Sequence, residues 1–567
     1  MAQQSPKDAD ELVMVALGGL GEIGMNAYLY GYGPAKGRQW LMVDLGITFP
    51  HDSEPGVDVI LPDIRFIAEQ RANLQGLVIT HAHEDHIGAV LELYPQLRVP
   101  VYGTPFTLGM LKAKLGEFGG KVKPDLREVP LGSRFKAGVF DVELVDMAHS
   151  IPEVSGLAIR TPAGLVLHTS DWKLDPEPVV GRKTDEAKLA ALGAEGIRAV
   201  ICDSTNAIRE GISPSESDVA RSLAEIIKAA PYRVAVTTFA SNVGRVKAVA
   251  EAARAAGRHL VVAGRALHRI IEVAIDTGYL PKDFKYLDQE EFSYLERREI
   301  VLLCTGSQGE PRAAIARISE NEHPDIKLAK GDLVVFSSRS IPGNEKVVGQ
   351  IQNNLARLGC DVLTDGEALV HVTGHPRRGE LRRLYDLTKP ALVVPMHGEP
   401  RHLRENAKIA EACGVKEVII AEDGAIVRLA PGKARIIDEA PVGRIYRDGR
   451  LMVPSTDDGP VRQRRKLSAV GIAVVSVAVS RKGDLIGEAE VVMDGIPALT
   501  ADGDQMSDVI LDAIEGTFES IPPGRRKDIA MVTEAVRRAV RSAIGDEWGK
   551  KPIVKVLVHV MDAKATS

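Results

Sequence analysis

The segment His81-Ala82-His83-Glu84-Asp85-His86 places three histidines and an aspartate on one short stretch of chain. Neutral imidazole and carboxylate at that density suit zinc, which takes such ligands at about 2.0–2.2 Å. His81 and His83 alternate and project to one side, whereas Asp85 and His86 fall on the following turn and can face a second ion. The spacing therefore implies metal-centred chemistry at two adjacent ions. Two ions need further ligands, and His149, Asp171 and His397 are the candidates, within His149-Ser150-Ile151-Pro152-Glu153, Thr169-Ser170-Asp171 and Pro395-Met396-His397-Gly398. Taken singly, each has a plain reading as a loop histidine or a turn aspartate. Together they complete a ligand set that chance explains poorly.

Each of these residues follows an apolar run. The runs at 12–17, 40–43 and 77–80 end at Gly18-Gly19, Asp44 and His81; those at 139–145, 157–160 and 165–168 continue the series, and 392–395 leads to His397. A strand that stops at a polar residue places it on a rim loop, where sites of layered α/β folds lie. From about residue 207 the pattern changes. Helical spacing at 219–230 and 243–256 alternates with strands at 234–237, 260–263, 300–304 and 333–336, which implies a second, parallel α/β domain ending near 370. The stretch 444–466 is rich in Arg, Gly, Asp and Pro and reads as a linker. Beyond it a strand at 468–479, helices at 505–519 and 526–544, and a strand at 553–560 predict a small C-terminal α/β domain.

Gly19-Leu20-Gly21-Glu22-Ile23-Gly24 fits a dinucleotide fingerprint, with Asp44 at the right distance. The residues after it, Met25-Asn26-Ala27-Tyr28-Leu29-Tyr30-Gly31-Tyr32-Gly33-Pro34, read as strand and hairpin turn. Without a helix there is no N-terminal dipole for a pyrophosphate.

The 567 residues suggest three or four domains with an ordinary balance of 45% hydrophobic and 26% charged residues. The polar N-terminus shows no secretory signal, and the longest apolar stretch, 470–479, is too short for a bilayer, so no membrane association is expected. Cys202, Cys304, Cys360 and Cys413 follow no metal spacing and read as reduced thiols of a cytoplasmic protein. A net charge of −6 rules out a chain coated in positive charge but leaves room for a local basic strip, such as Arg377-Arg378 with Arg382-Arg383, or Arg462 to Lys466.

His81-x-His83-x-Asp85-His86, with His149, Asp171, His397, Asp44 and Gly46, resembles the metallo-β-lactamase superfamily. The long insertion between Asp171 and His397 is similar to that of its β-CASP subfamily of nucleic-acid nucleases. Ala16 to Gly24, Cys202 to Ala207, Phe239 to Asn242, Thr305 to Pro311, Ser337 to Glu345 and His371 to His375 look like the motifs of the bacterial ribonuclease J family, covering most of residues 12–400. Three positions depart from that pattern: Ser170 where glycine is common, Thr373 where serine is common, and Gly244 where histidine is frequent.

The resemblance implies an α/β fold: a metallo-β-lactamase αββα sandwich in residues 1–206 and 371–445, an inserted β-CASP α/β domain in 207–370, a linker at 446–466 and a small C-terminal α/β domain in 467–567. It implies that His81, His83 and His149 hold one zinc, that Asp85, His86 and His397 hold the other, that Asp171 bridges, and that Asp44 orients a ligand histidine from behind. Manganese is the alternative ion, and Asp58 is a candidate for a separate structural cation. His375, supported by Asp203, is expected to protonate the leaving oxygen, and Asp85 is counted with them as catalytic. Ser241, Asn242, Ser338, Arg339, His371, Val372, Thr373, Gly374 and His375 are expected to bind substrate, with a 5′-phosphate pocket among them. The implied activity is hydrolysis of single-stranded RNA from its 5′ end, favouring a 5′-monophosphate, with endonuclease activity besides, in RNA maturation and decay. A homodimer or homotetramer and an RNA-decay complex are the implied assemblies. The rival readings are a DNA-processing β-CASP nuclease, a non-catalytic RNA-binding subunit of a decay complex and a small-molecule hydrolase such as a thioesterase. The full ligand set opposes the second, and the large insertion opposes the third.

Overall fold

The computed structural model describes residues 10–118, 122–341, 343–456 and 459–561. Most of the polar N-terminal stretch and Pro342 of the Ser337 to Glu345 motif lie outside them. Two compact units emerge, one of residues 1–49 and 59–445, the other of 50–58 and 446–567.

In the first unit two sheets pack face to face. Glu11–Gly18 shows why its sequence is apolar throughout: Leu12, Met14 and Ala16 enter the core between the sheets, and Val13, Val15 and Leu17 enter the core on the outer face. Leu41 and Val43 alternate in the same way with Trp40 and Met42. The first sheet runs Arg435–Glu439, Ala425–Ala430, Glu11–Gly18, Ala27–Gly33, Gln39–Val43, Leu74–Val78, Val101–Gly103, Leu126–Glu128. The second runs Glu417–Val418, Leu392–Met396, Ile197–Asp203, Gly164–His168, Ser155–Thr161, Phe140–Asp146, Arg134–Ala137. Gly24 leads into the strand Ala27–Gly33, so no dinucleotide-binding helix follows the glycine loop.

Register brings the ligand loops to one edge. Gln39–Val43 and Leu74–Val78 are parallel with Val43 opposite Val78, so Asp44 and His81 emerge together. Gly164–His168, Ile197–Asp203 and Leu392–Met396 are also parallel, with His168 opposite Ile201 and Asp203 opposite Met396. Asp171, Asp203 and His397 therefore leave their strands at a shared carboxyl edge, where open α/β sheets form their crevices. Between them the chain builds a wholly parallel sheet, Leu287–Asp288, His259–Ala263, Ile300–Cys304, Val234–Thr237, Leu333–Phe336, Asp361–Leu363. Its inner strands Val234–Thr237 and Ile300–Cys304 are buried on both faces, as in parallel sheets, while the edge strands Leu287–Asp288 and Asp361–Leu363 are partly exposed.

In the second unit Ile472–Ser480 pairs in parallel with Ile553–Met561 and antiparallel with Glu490–Asp494. Ala473, Val475, Val477 and Val479 form one core with the helices Met506–Ser520 and Ile529–Trp548. The expected linker at 446–466 is instead structured. It holds most of the strand Arg444–Asp448, the strand Leu451–Pro454, and the start of the helix Pro460–Val470. Asp448-Gly449, with Gly449 at φ +61°, sits between the two strands as a hairpin signal, and Pro460 opens the helix at a position proline favours. The helix runs on to Val470 before Gly471 stops it at φ +63°, so the following strand begins later than 468. Among the described residues no helix is long and apolar enough to cross a membrane.

Candidate metal centre

His81, His83, His149 and Asp171 offer ligand atoms within 4.8 Å of one another, and so do Asp85, His86, Asp171 and His397. All seven expected ligands thus meet, and Asp171 belongs to both groups. Its Oδ2 lies 3.8 Å from His81 Nε2, 3.4 Å from His86 Nε2, 3.6 Å from His149 Nε2 and 3.5 Å from His397 Nε2. Asp85 Oδ2 is 3.6 Å from His86 Nε2 and 3.8 Å from His397 Nε2. Among the described residues Asp58 joins no such group; its Oδ2 accepts the backbone N–H of Gly449 at 2.9 Å.

The donor set fits divalent metal. His83 Nδ1 faces His81 Nε2 at 3.1 Å and His149 Nε2 at 3.2 Å, an approach of nitrogens that a cation between them would satisfy. Among the described residues the buried Asp171 Oδ1 and His397 Nε2 have no hydrogen-bond partner, the condition of atoms waiting for an ion. Burial, joined by the repulsion of His86, His83 and neighbouring imidazoles, pushes His81 and His149 well below the usual histidine range and His83 to about 4, which favours the neutral, coordinating form. His86 is the exception. Burial pulls it down, but Asp171, Asp85 and Asp44 together raise it. Burial likewise opposes the Asp171 carboxylate, yet His397, His86 and His375 hold it well below the usual range.

Hydrogen bonds behind the ligands aim them. His86 Nδ1 meets Asp44 Oδ2 at 2.7 Å, and His149 Nδ1 donates to Gly374 O at 2.6 Å, so each ring turns Nε2 towards Asp171. His397 Nδ1 meets Asn26 Oδ1 at 3.0 Å. Ser170 Oγ donates to Thr80 Oγ1, which donates to Asp44 Oδ2. Asn26 and Thr80 escaped the sequence reading, since neither carries metal-ligand chemistry; only the place of Thr80 beside His81 hints at its role. Ser170 has φ +55°, which explains the preference for glycine there; its hydroxyl bond offsets a conformation costing about 1–3 kcal/mol. Asp44 and His397 share that region, at φ +60° and +51°.

Two glycines are required by close approach. A Cβ on Gly46 would fall 1.7 Å from Asp85 O, and one on Gly374 2.3 Å from His149 Cε1. Gly374→Ala should therefore displace His149, lowering metal content per chain and reducing turnover by about 10–100-fold; elemental analysis of the purified variant checks this.

Above the ligands, His375 Nδ1 meets Asp203 Oδ2 at 2.8 Å, and its ring centre is 5.1 Å from that of His149 and 5.3 Å from that of His397. Burial lowers its affinity for a proton, but Asp203 and Asp171 outweigh burial and raise it to about 9. The expected substrate residues occupy nearby loops with differing freedom. Asn242 is buried and caps a helix through Oδ1, Arg339 pairs with Asp365 at 2.6 Å, and Thr373 Oγ1 accepts from Asn206 at 2.7 Å. Val372 and Ser338 are buried, and Ser241 is partly exposed. His371 is pushed well down by burial and by the cations Arg245, Arg339 and Lys173. The basic strip near 377–383 is largely paired: Arg378 with Glu210 and Glu405, Arg383 with Glu186.

Comparison with known proteins agrees with this layout. Residues 54–229 match the Beta-lactamase superfamily domain, 231–355 the Ribonuclease J, beta-CASP domain, 362–421 the Zn-dependent metallo-hydrolase RNA specificity domain and 459–561 the Ribonuclease J C-terminal domain. The chain is 50% identical over 549 residues to Ribonuclease J of Sinorhizobium meliloti, covering 97% of each chain. It is 38% identical to Ribonuclease J of Mycolicibacterium smegmatis, covering 98% of each, and 31% identical to Ribonuclease J2 of Bacillus subtilis, covering 98% of this chain and 100% of that one. A crystal structure of a protein of unknown function from Enterococcus faecalis V583 shares the fold at TM-score 0.50 and 14% identity, covering 76% of this chain and 100% of that one. Two ribonuclease J-specific domain matches and 50% identity along nearly the whole length of a ribonuclease J mean that this chain belongs to the ribonuclease J family.

Proposed function

We propose that this metallo-hydrolase binds two zinc ions and degrades single-stranded RNA from the 5′ end, preferring a 5′-monophosphate, with internal cutting as a second mode. The observation that carries this reading is one carboxylate, Asp171, shared by two ligand groups beside the His375–Asp203 pair. His81, His83 and His149 would hold one zinc, Asp85, His86 and His397 the other, with Asp171 between. Manganese is the alternative ion at the same ligands. When bound, such a pair supplies hydroxide at neutral pH and neutralises phosphate charge.

The protein's own residues do the rest. Asp85, with its side chain 29% exposed, can take up the proton that water releases. Asp203 accepts from His375 Nδ1, which leaves the Nε2 proton free to pass to the departing 3′-oxygen. The products carry 5′-phosphate and 3′-hydroxyl ends. Ser241, Asn242, Ser338, Arg339 and the His371 to His375 loop form the proposed 5′-phosphate pocket, and the positive charge of Arg339 beside His371 supports it. If the pocket seats a single phosphate, a triphosphate that cannot enter it forgoes charge-assisted bonds of about 1.5–3 kcal/mol, so 5′-monophosphate RNA should be degraded about 10–100-fold faster than 5′-triphosphate RNA of the same sequence. End-labelled RNA with metal analysis tests this; equal rates, or equal cutting of single-stranded DNA, would count against it.

We divide the chain into metallo-β-lactamase segments 1–206 and 371–445, a β-CASP insertion at 207–370 and a C-terminal domain at 467–567. We place the enzyme in the cytoplasm, with its four free thiols, as a homodimer or homotetramer that works in RNA maturation and decay, there with an RNA-decay complex.

A further inference from the structure

We propose that Arg245 and Glu216 form a buried clamp that holds the 5′-phosphate pocket at a set position relative to the metal centre, and so governs discrimination of the RNA 5′ end. This rests on the pocket described under the proposed function.

Arg245 is 1% exposed and Glu216 5% exposed. Arg245 Nη2 donates to Glu216 Oε2 at 2.9 Å, while Nη1 donates to Ser337 O at 3.1 Å, to Ser337 Oγ and to Val370 O at 2.8 Å. Ser337 Oγ also donates to Val370 O, at 2.6 Å. Each partner adjoins the pocket: Asn242 lies one helical turn before Arg245 and caps its helix, Ser338 follows Ser337, and His371 follows Val370. One guanidinium therefore ties three loops together.

Glu216 carries the connection to the metal centre. Its backbone N–H donates to Asp175 Oδ2 at 3.0 Å, and the neighbouring Ser215 Oγ donates to Asp175 Oδ1 at 2.6 Å. Asp175 pairs with the buried Lys173 at 2.8 Å, two residues past Asp171. A buried ion pair is weak evidence for stability, because desolvation offsets its attraction. What this one supplies is geometry: a planar fork that fixes several acceptors at once, which a lysine ammonium does not reproduce. Arg245 has its terminal nitrogens committed and touches no reacting atom, so it is a positioning residue.

The test compares 5′-monophosphate with 5′-hydroxyl RNA of one sequence, using the wild type, Arg245→Lys and Glu216→Gln. The wild type should favour the monophosphate by about tenfold or more in kcat/KM. In Arg245→Lys the ratio should fall to about one through a higher KM for the monophosphate substrate, while kcat/KM for 5′-hydroxyl RNA stays within about threefold and metal content is unchanged. Glu216→Gln, which keeps the shape and loses the charge, should fall between, and it decides the matter if Arg245→Lys fails to fold. Loss of both activities by one factor would reveal a merely structural pair, and an unchanged ratio an idle one; either overturns the clamp alone. A wild-type ratio of one removes the pocket, and the clamp with it.

Discussion

Asp171→Asn is expected to lower ribonuclease turnover by about 10⁴-fold or more, because metal binding moves the pKa of water from 15.7 towards about 7 and this substitution takes away the carboxylate proposed to bridge the two ions. Asp171 Oδ2 lies between 3.4 and 3.8 Å from four imidazole nitrogens, and among the described residues no other side chain contributes to both ligand groups. Asparagine keeps the size but removes the negative charge and leaves one oxygen to serve two ions. The imidazoles that hold the carboxylate ionised would then repel one another in a buried site. Metal content per chain should drop below that of the wild type, and chelation should cease to matter. A variant that retained both its metal and its turnover would show that the geometric centre is not the chemical one.

His375→Ala is expected to slow turnover by about 10²–10⁴-fold, the usual contribution of a positioned proton donor, with metal content unchanged. His375 sits over the ligand rings without belonging to either ligand group that shares the His81 to His86 loop, and Asp203 holds its Nδ1 at 2.8 Å. Asp203→Asn should produce a smaller loss, about 10–100-fold, since the ring would remain but lose its orientation. A substrate with sulfur in place of the departing 3′-oxygen separates proton donation from positioning, because a thiolate leaves without a proton. His375→Ala should recover most of its rate on that substrate. Failure to recover would assign His375 to binding.

The convergence of the seven candidate ligands was legible in the sequence because coordination demands particular side chains, and His81, His83, Asp85, His86, His149, Asp171 and His397 meet as their strand-end positions implied. Two helices and four strands of the insertion were legible through apolar periodicity, with Val234–Thr237 and Ile300–Cys304 matching their apolar runs residue for residue, whereas the helices Arg265–Asp276, Ala314–Ser319 and Glu345–Arg357 and the short edge strands Leu287–Asp288 and Asp361–Leu363 were not read. What supports the ligands was not. Asn26 and Thr80 act through ordinary amide and hydroxyl groups that bear no chemical signature, and only tertiary contact reveals them. The segment 446–466 misled for a local reason: Arg, Gly, Asp and Pro serve a hairpin turn and a helix start as readily as a linker. The donors expected at the phosphate pocket were identifiable by type, but their prior commitments, such as Asn242 to a helix cap and Arg339 to Asp365, were invisible without coordinates.

The separation of Asp171 from His397 along the chain has a bearing on the protein's birth. At 5–20 residues per second a ribosome needs about 10–45 s to travel from one to the other. Throughout that interval the nascent chain carries six of the seven side chains that converge in the folded protein but lacks His397. The cluster can therefore be completed only after the whole insertion has been synthesised.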